Sequence, residues 1–193
     1  MISQLRGTLL ALEPPSLIID VQGLGYELEA PMSTIYNLPP VGEELTLLTH
    51  LVVREDAHLL YGFKTEAERQ AFRLLIKISG VGPRIGLAVL SGLTVDQLAE
   101  AISLQDPARL TRVPGIGKKT AERLVLELKG KLAQALPTTT PAGLRQTGVA
   151  EVLRALSALG YSEKEAHAAS QSLPEGITVS DGIRLALKQL SRL

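Results

Sequence analysis

The first third of the chain has the pattern of short β-strands. Residues 17–21 and 45–49 are rich in β-branched and aliphatic side chains, and their apolar positions lack helical spacing. Turn-forming residues separate these segments at positions 14–15, 23–25, 39–40 and 42. About five short strands within residues 1–63 predict a small barrel, and a five-stranded OB-like barrel is the leading candidate.

The pattern changes near residue 64 to helical spacing with helix-capping signals. These signals are Thr65 with Glu68, Thr94 with Gln97, and Asp106 with Pro107. Apolar positions 121, 124, 125, 128 and 132 fall on one helix face. Residues 64–134 are therefore predicted to form about five short helices.

The last part of the chain divides into a linker and a small helical segment. Residues 135–148 contain two prolines, two glycines and a run of threonines, which predicts a flexible linker. Residues 149–193 return to helical spacing and predict a three-helix bundle. A bundle of this size is marginal alone, so docking to a partner is a natural use for it. The predicted fold class is α+β and multi-domain.

Charge is distributed unevenly, although the 20 basic and 20 acidic side chains cancel. Residues 1–63 hold two basic and eight acidic side chains, which gives a net charge of −6. Residues 64–134 hold twelve basic and seven acidic side chains, a net charge of +5. An anionic partner is therefore expected to bind the middle segment, and the first segment would repel it.

Several classes of protein are not favoured by the sequence. The chain has no cysteine, so it can form neither a disulfide framework nor a thiolate zinc site. The N-terminus lacks the pattern of a signal peptide, and no apolar run approaches the roughly 20 residues of a membrane span. A cytoplasmic protein without a membrane segment is expected, and no cofactor is predicted.

An internal repeat carries the functional prediction. Residues 75–84 and 110–119 lie 35 positions apart and both read apolar, any, basic, apolar, any, Gly, apolar, Gly, followed two positions later by a basic residue. Both segments lie between predicted helices. Two ordinary turns between helices are the simpler explanation, but the shared register and shared basic positions favour a pair of helix-hairpin-helix loops.

The spacing suits a phosphate-binding turn. The first glycine permits a positive φ, the apolar residue anchors the turn in the core, and the second glycine lets a phosphate approach the backbone. The following helix directs its free N–H groups and positive dipole end at that phosphate. The predicted DNA-binding residues are Gly80, Val81, Gly82, Arg84, Gly115, Ile116, Gly117, Lys118, Lys119 and Arg123. Such contacts position a protein on DNA without reading bases.

Enzymatic alternatives find weaker support. Residues 117–120 lack the residues that a Walker phosphate loop needs, because Arg112 stands at its first glycine and Lys119 at its Ser or Thr. Glu55 and Asp56 are predicted to lie at a β-hairpin tip and could belong to a nuclease metal site, but no further carboxylates are identified. Three hypotheses stay open: a non-enzymatic DNA-binding adaptor, a structure-specific nuclease, and a protein scaffold that has lost DNA binding.

The chain closely resembles the RuvA family, the bacterial Holliday-junction recognition subunits, over essentially its whole length. The most specific segments are residues 51–57, 59–63, 80–83, 114–124 and 158–161. The resemblance implies an OB-like barrel (1–63), a tandem helix-hairpin-helix domain (64–134), a linker (135–148) and a three-helix motor-binding domain (149–193). It also implies a homotetramer with the open junction laid on one of its faces, and it allows an octamer in which a second tetramer covers the other face of the junction.

The same resemblance implies roles and partners. Glu55 and Asp56 would be an acidic pin at the junction centre. A hexameric ATPase of the RuvB type would drive branch migration and contact the C-terminal domain, with Leu156, Leu159 and Tyr161 as candidate contacts. For Leu156 and Leu159, a place in the core of the bundle is at least as good an explanation. A RuvC-type resolvase is a further implied partner.

Overall fold

The structure, a computed structural model, forms two compact units, residues 1–138 and 139–193. It describes residues 1–129, 131–132, 152–153, 155–156, 159–161, 163–170, 173–174 and 177–190. The predicted linker at 135–148 lies outside the described residues, so the division into four segments stays a prediction. No single helix in these described ranges is long and apolar enough to cross a membrane. Two consecutive helices, Pro83–Gly92 and Val95–Ser103, reach the length and composition of a membrane span only when they are taken together, and they are bent by 96° relative to each other.

Five strands form a closed barrel in the order β1-β2-β3-β5-β4. They are β1 (Gln4–Glu13), β2 (Ser16–Val21), β3 (Leu24–Glu29), β4 (Glu44–Val53) and β5 (His58–Phe63), with the short helix α1 (Met32–Ile35) after β3. Neighbouring strands are antiparallel except β3 and β5, which run parallel and pair at Glu29 and Tyr61. The interior is apolar and includes Leu9, Leu17, Ile19, Leu28 and Leu47. The prediction of a five-stranded OB-like barrel is confirmed.

Gly7 lies near the point where β1 changes its pairing partner from β4 to β2. The residue pairs with Leu45 of β4, and the next residue pairs with both β4 and β2. A Cβ atom on Gly7 would lie 2.0 Å from the carbonyl oxygen of Asp20, which is backbone and cannot turn aside. This close approach, which no local pattern in the sequence indicates, requires glycine.

We therefore expect Gly7→Ala to lower the free energy of unfolding by about 3 kcal/mol, since the strands must separate to admit the methyl group. Denaturant unfolding followed by circular dichroism measures the change. Gly25→Ala is the matched control, because its Cβ would make only an ordinary contact of 3.5 Å with Ile18. Equal unfolding midpoints for the two variants would show that the strands are not held this closely.

Besides the helical residues 131–132, the described part of residues 64–134 contains five helices, in agreement with the predicted number. They are α2 (Glu66–Leu75), α3 (Pro83–Gly92), α4 (Val95–Ser103), α5 (Pro107–Leu110) and α6 (Lys118–Leu128). Both predicted capping boxes are formed, at Thr65 before α2 and at Thr94 before α4. The side chain of Asp106 caps α5 through the N–H of Ala108 at 3.0 Å. The helices share one apolar core, in which Phe72, Leu75, Leu90, Leu98 and Leu124 are almost fully buried.

The carboxylate of Glu68 joins the barrel to the helices. It completes the capping box of α2 by accepting a hydrogen bond from the N–H of Thr65 at 3.1 Å. It also accepts hydrogen bonds from the hydroxyl groups of Ser33, at 2.6 Å, and Thr34, at 3.2 Å. One side chain therefore both starts α2 and ties that helix to the segment that follows β3.

Aromatic packing adds to the contact between the barrel and the helices. The ring of Phe72 on α2 lies 5.0 Å from the ring of Tyr61 on β5 and contacts His50 on β4 edge-on. Burial, with the nearby guanidinium groups of Arg73 and Arg69, lowers the pKa of His50. The neutral imidazole can then accept the 3.3 Å hydrogen bond that the Nε–H of Arg73 donates to its Nδ1. His50 is thus a structural residue.

The second unit has its own small core. Its described helices are α7 (Glu163–Ser170) and α8 (Val179–Leu190), and residues 152–153 and 155–156 are also helical. Val152, Leu156, Ala166, Ala169 and Ala186 are buried together. These residues agree with the predicted helical bundle.

Candidate nucleic-acid interface

The two repeated segments fold into nearly identical turns. The first glycines, Gly80 and Gly115, have positive φ values of 86° and 87°. The second glycines, Gly82 and Gly117, are the N-cap residues of α3 and α6, with φ and ψ of −82° and 173° in one and −83° and 167° in the other. The sequence repeat is therefore also a structural repeat, because the backbone follows the same path at equivalent positions.

The apolar residue between the glycines anchors each turn. Val81 is 4% exposed and Ile116 is 5% exposed, and both belong to the core of the helical part. The N–H of Val81 donates to the carbonyl of Ile78 at 3.0 Å, and the N–H of Ile116 donates to that of Val113 at 3.1 Å. Burial and a backbone hydrogen bond thus hold each loop in place before any ligand binds.

The surface in front of the second glycines is open. A Cβ atom on Gly82 or Gly117 would meet no other atom within 4 Å, and neither helix has a side-chain cap. The first turn of each helix therefore begins beside a space that an anion can enter, and its free N–H groups include those of Arg84 in α3, where Pro83 has none, and of Lys118 in α6. The positive end of the helix dipole adds to the attraction of each site for a phosphate group.

Basic side chains surround these two openings. Arg84 lies in the first turn of α3, and Lys118 and Lys119 lie in the first turn of α6, and all three are exposed. Arg123, predicted as another DNA contact, is also exposed, but it donates a 2.9 Å hydrogen bond to the carbonyl of Ser79 in the first hairpin. Sequence reasoning missed Ser79, because a backbone carbonyl carries no residue-type signal.

Glu55 and Asp56 lie at the tip of the β4–β5 hairpin, as the sequence predicts. Both are exposed, and the N–H of Arg54 donates to the carbonyl of Ala57 at 2.8 Å to close the turn. In the part of the chain that the structure describes, no group of three or more His, Asp or Glu side chains could hold a metal ion. The tip thus presents two solvated carboxylates, which can repel phosphates.

The three residues predicted to contact a motor protein differ in exposure. Leu156 is fully buried in the core of the second unit, the alternative that the sequence left open. Leu159 is 59% exposed, and Tyr161 is partly buried against that core. Gly160 between them has a positive φ of 95°, a conformation that favours glycine. Only Leu159 therefore presents a largely accessible apolar side chain.

A closed five-stranded barrel followed by two congruent helix-hairpin-helix turns defines a class of DNA-binding proteins. Family models match the chain in three places: RuvA N terminal domain at residues 1–62, SAM-like helix-hairpin-helix tandem at residues 72–131, and RuvA C-terminal domain at residues 147–191. The chain belongs to the RuvA family.

Full-length relatives agree with the family models. The chain is 60% identical over 192 residues to the Holliday junction branch migration complex subunit RuvA of Cupriavidus necator. It is 59% identical over 192 residues to the protein of the same name from Burkholderia thailandensis. Both alignments cover 100% of this chain and 100% of the relative.

Proposed function

We propose that this chain binds four-way DNA junctions without cutting them and holds their arms open for a RuvB-type ATPase that drives branch migration. The observation that carries the proposal is the pair of congruent glycine turns, residues 80–82 and 115–117, each open at a helix N-terminus. Relatives named as Holliday junction branch migration complex subunits support the choice of DNA substrate. The process served is homologous recombination and DNA repair.

The two turns would grip the phosphate backbone of one duplex arm. Each supplies helix N–H groups and nearby cations, so the contacts do not depend on base sequence. Four subunits in a homotetramer would hold four arms, and a second tetramer could complete an octamer. Glu55 and Asp56 of each subunit would then face the crossover, where their charge opposes inward collapse of the strands and disfavours straight duplex.

A nuclease is the second candidate function, and Glu55 with Asp56 is the observation that favours it. Two-metal hydrolysis needs carboxylates that hold both ions. The described residues offer no cluster of three such ligands, so the adaptor is the better-supported function. On this proposal the chain is not an enzyme, and ATP hydrolysis belongs to the partner.

A salt titration with a synthetic immobile four-way junction tests the proposal and separates the candidates. The affinity is expected to fall steeply with salt, because each phosphate contact releases about 0.9 counterions on duplex DNA. The strands should stay intact with magnesium present when the same samples are run on a denaturing gel. Cut strands would support the nuclease, and salt-independent or absent binding would support the scaffold hypothesis.

The second unit would couple the junction to the motor. We place the linker at residues 135–148 and the motor-binding domain at residues 149–193. Leu159 is the leading contact of the three candidates, with Tyr161 beside it, and the burial of Leu156 favours a role in the core. A RuvC-type resolvase would need the DNA face that a single tetramer leaves open, and all of these partners fit a cytoplasmic protein.

Substituting Leu159→Ser is expected to leave junction binding unchanged and to slow branch migration by the motor protein roughly tenfold, the effect of an interface residue that contributes about 1.4 kcal/mol. Branch migration of a labelled junction by the motor protein measures the effect. Leu185→Ser is the matched control, because Leu185 is 42% exposed on α8 of the same unit. If branch migration is as fast with Leu159→Ser as with the wild-type protein but slower with Leu185→Ser, the contact with the motor protein lies on α8 instead.

A further inference from the structure

Arg123 connects the two hairpins. It lies on α6, the second helix of the second hairpin, yet its Nη1 donates to the carbonyl oxygen of Ser79 in the turn of the first hairpin at 2.9 Å. The same nitrogen lies 3.9 Å from the position of a Cβ on Gly80, the residue that carries the positive φ. The guanidinium thus contacts the first turn at the point where its backbone reverses.

The second hairpin supplies this hydrogen bond to the first, and the first hairpin has no equivalent donor at the matching position. The 35-residue offset that aligns Gly80 with Gly115 and Gly82 with Gly117 also aligns Arg123 with Ala88. Ala88 lies on α3 and has no side-chain donor, so the first hairpin cannot make the equivalent bond to the second. The bond is therefore a specific feature of this pair and not a requirement of the helix-hairpin-helix turn, which forms around residue 115 without it.

We propose that Arg123 is a positioning residue, which holds the turn of the first hairpin against the second so that both glycine surfaces meet the DNA backbone as one preformed unit. A loop that is ordered before binding loses less conformational entropy when it binds. A hydrogen bond from a charged donor to a backbone carbonyl is also stronger than one between neutral groups. The inference deepens the proposed function and rests on it for its DNA-binding test.

Hydrogen exchange in the free protein provides a test that needs no DNA. Arg123→Met is expected to speed exchange of the Val81 amide about tenfold and to leave the Ile116 amide unchanged, because only the first turn loses its support. Lys119→Met removes one positive charge from the same helix and is expected to change neither amide. Unchanged exchange of the Val81 amide in Arg123→Met would overturn the positioning role.

Double-mutant cycles on junction binding then separate positioning from direct phosphate contact. Gly82→Asn blocks the first opening, and Gly117→Asn blocks the second. If Arg123 positions the first hairpin, Arg123→Met weakens wild-type and Gly117→Asn protein about tenfold, but has little further effect in Gly82→Asn protein. If Arg123 only contacts a phosphate at its own hairpin, Arg123→Met would weaken binding by Gly82→Asn protein about tenfold and have little further effect in Gly117→Asn protein. That result would overturn the proposal.

The two tests also separate this inference from the proposed function. Wild-type protein that does not bind junctions would refute the proposed function, and the exchange experiment would still decide whether Arg123 holds the first turn. Conversely, normal junction binding by the wild-type protein, with unchanged exchange of the Val81 amide in Arg123→Met, would leave the proposed function intact and overturn the positioning role alone.

Discussion

The double substitution Gly82→Asn and Gly117→Asn is expected to weaken junction binding by about 100-fold or more, because two anion sites per subunit are lost and hydrogen bonds to charged groups contribute about 1.5–3 kcal/mol each. Asparagine would fill the open space in front of each glycine. Its side chain would also accept hydrogen bonds from the helix N–H groups that a phosphate would otherwise use.

The same substitution should not lower the stability of the protein. Both glycines have negative φ values in the extended region, and a Cβ at either position meets no atom within 4 Å. Asparagine is among the most favourable N-cap residues, so the free energy of unfolding should stay equal or rise. Fluorescence anisotropy with labelled junction measures the affinity, and denaturant unfolding measures the stability.

Thr94→Asn is the matched control for this variant. It changes the N-cap of α4, which belongs to neither hairpin turn, to the same residue. We expect the control to bind junctions like the wild-type protein. Unchanged affinity in the double variant would contradict the assignment of the glycine turns as phosphate sites.

Neutralising the hairpin tip with Glu55→Gln and Asp56→Asn is expected to change selectivity more than affinity. Removing these charges lowers the repulsion of phosphates near the tip, so linear duplex should bind about tenfold more tightly, a gain of about 1.4 kcal/mol. This is less than the several kcal/mol that juxtaposed like charges can cost, because both side chains are exposed to solvent. Junction affinity should change little, and the ratio of the two affinities should fall. The effect should shrink at high salt, because both side chains are exposed and therefore screened.

A control variant separates the tip from the overall charge of the barrel. Glu13→Gln with Glu43→Gln removes two exposed carboxylates from the same barrel at other positions. Selectivity for the junction should be unchanged in this control. If both variants lose selectivity equally, the net charge of the barrel would explain the effect and the tip would have no special role.

The features that the sequence predicted well are local ones. The capping boxes at Thr65 and Thr94 and the glycine turns at residues 80 and 115 depend on residues within a few positions of each other. Their residue types carry the signal directly, since N-caps need side-chain acceptors and positive φ favours glycine. The switch from strand to helix near residue 64 was clear for the same reason.

The features that the sequence did not predict depend on contacts between distant segments. The parallel pairing of β3 with β5 and the close approach of Gly7 to Asp20 follow from the closure of the barrel. The bond from Arg123 to Ser79 joins residues 44 positions apart and ends on a backbone atom. For Leu156, helical spacing alone could not separate a core position from an exposed contact.

Equilibrium competition is the most direct test of junction-selective binding. Labelled immobile junction bound to the full chain would be challenged with unlabelled junction or with linear duplex of the same sequence, at physiological ionic strength. We expect that far more duplex than junction is needed to displace the label. Equal displacement by the two competitors would contradict junction-selective binding, because the tandem hairpins and the acidic tip would then give no preference for a four-way structure.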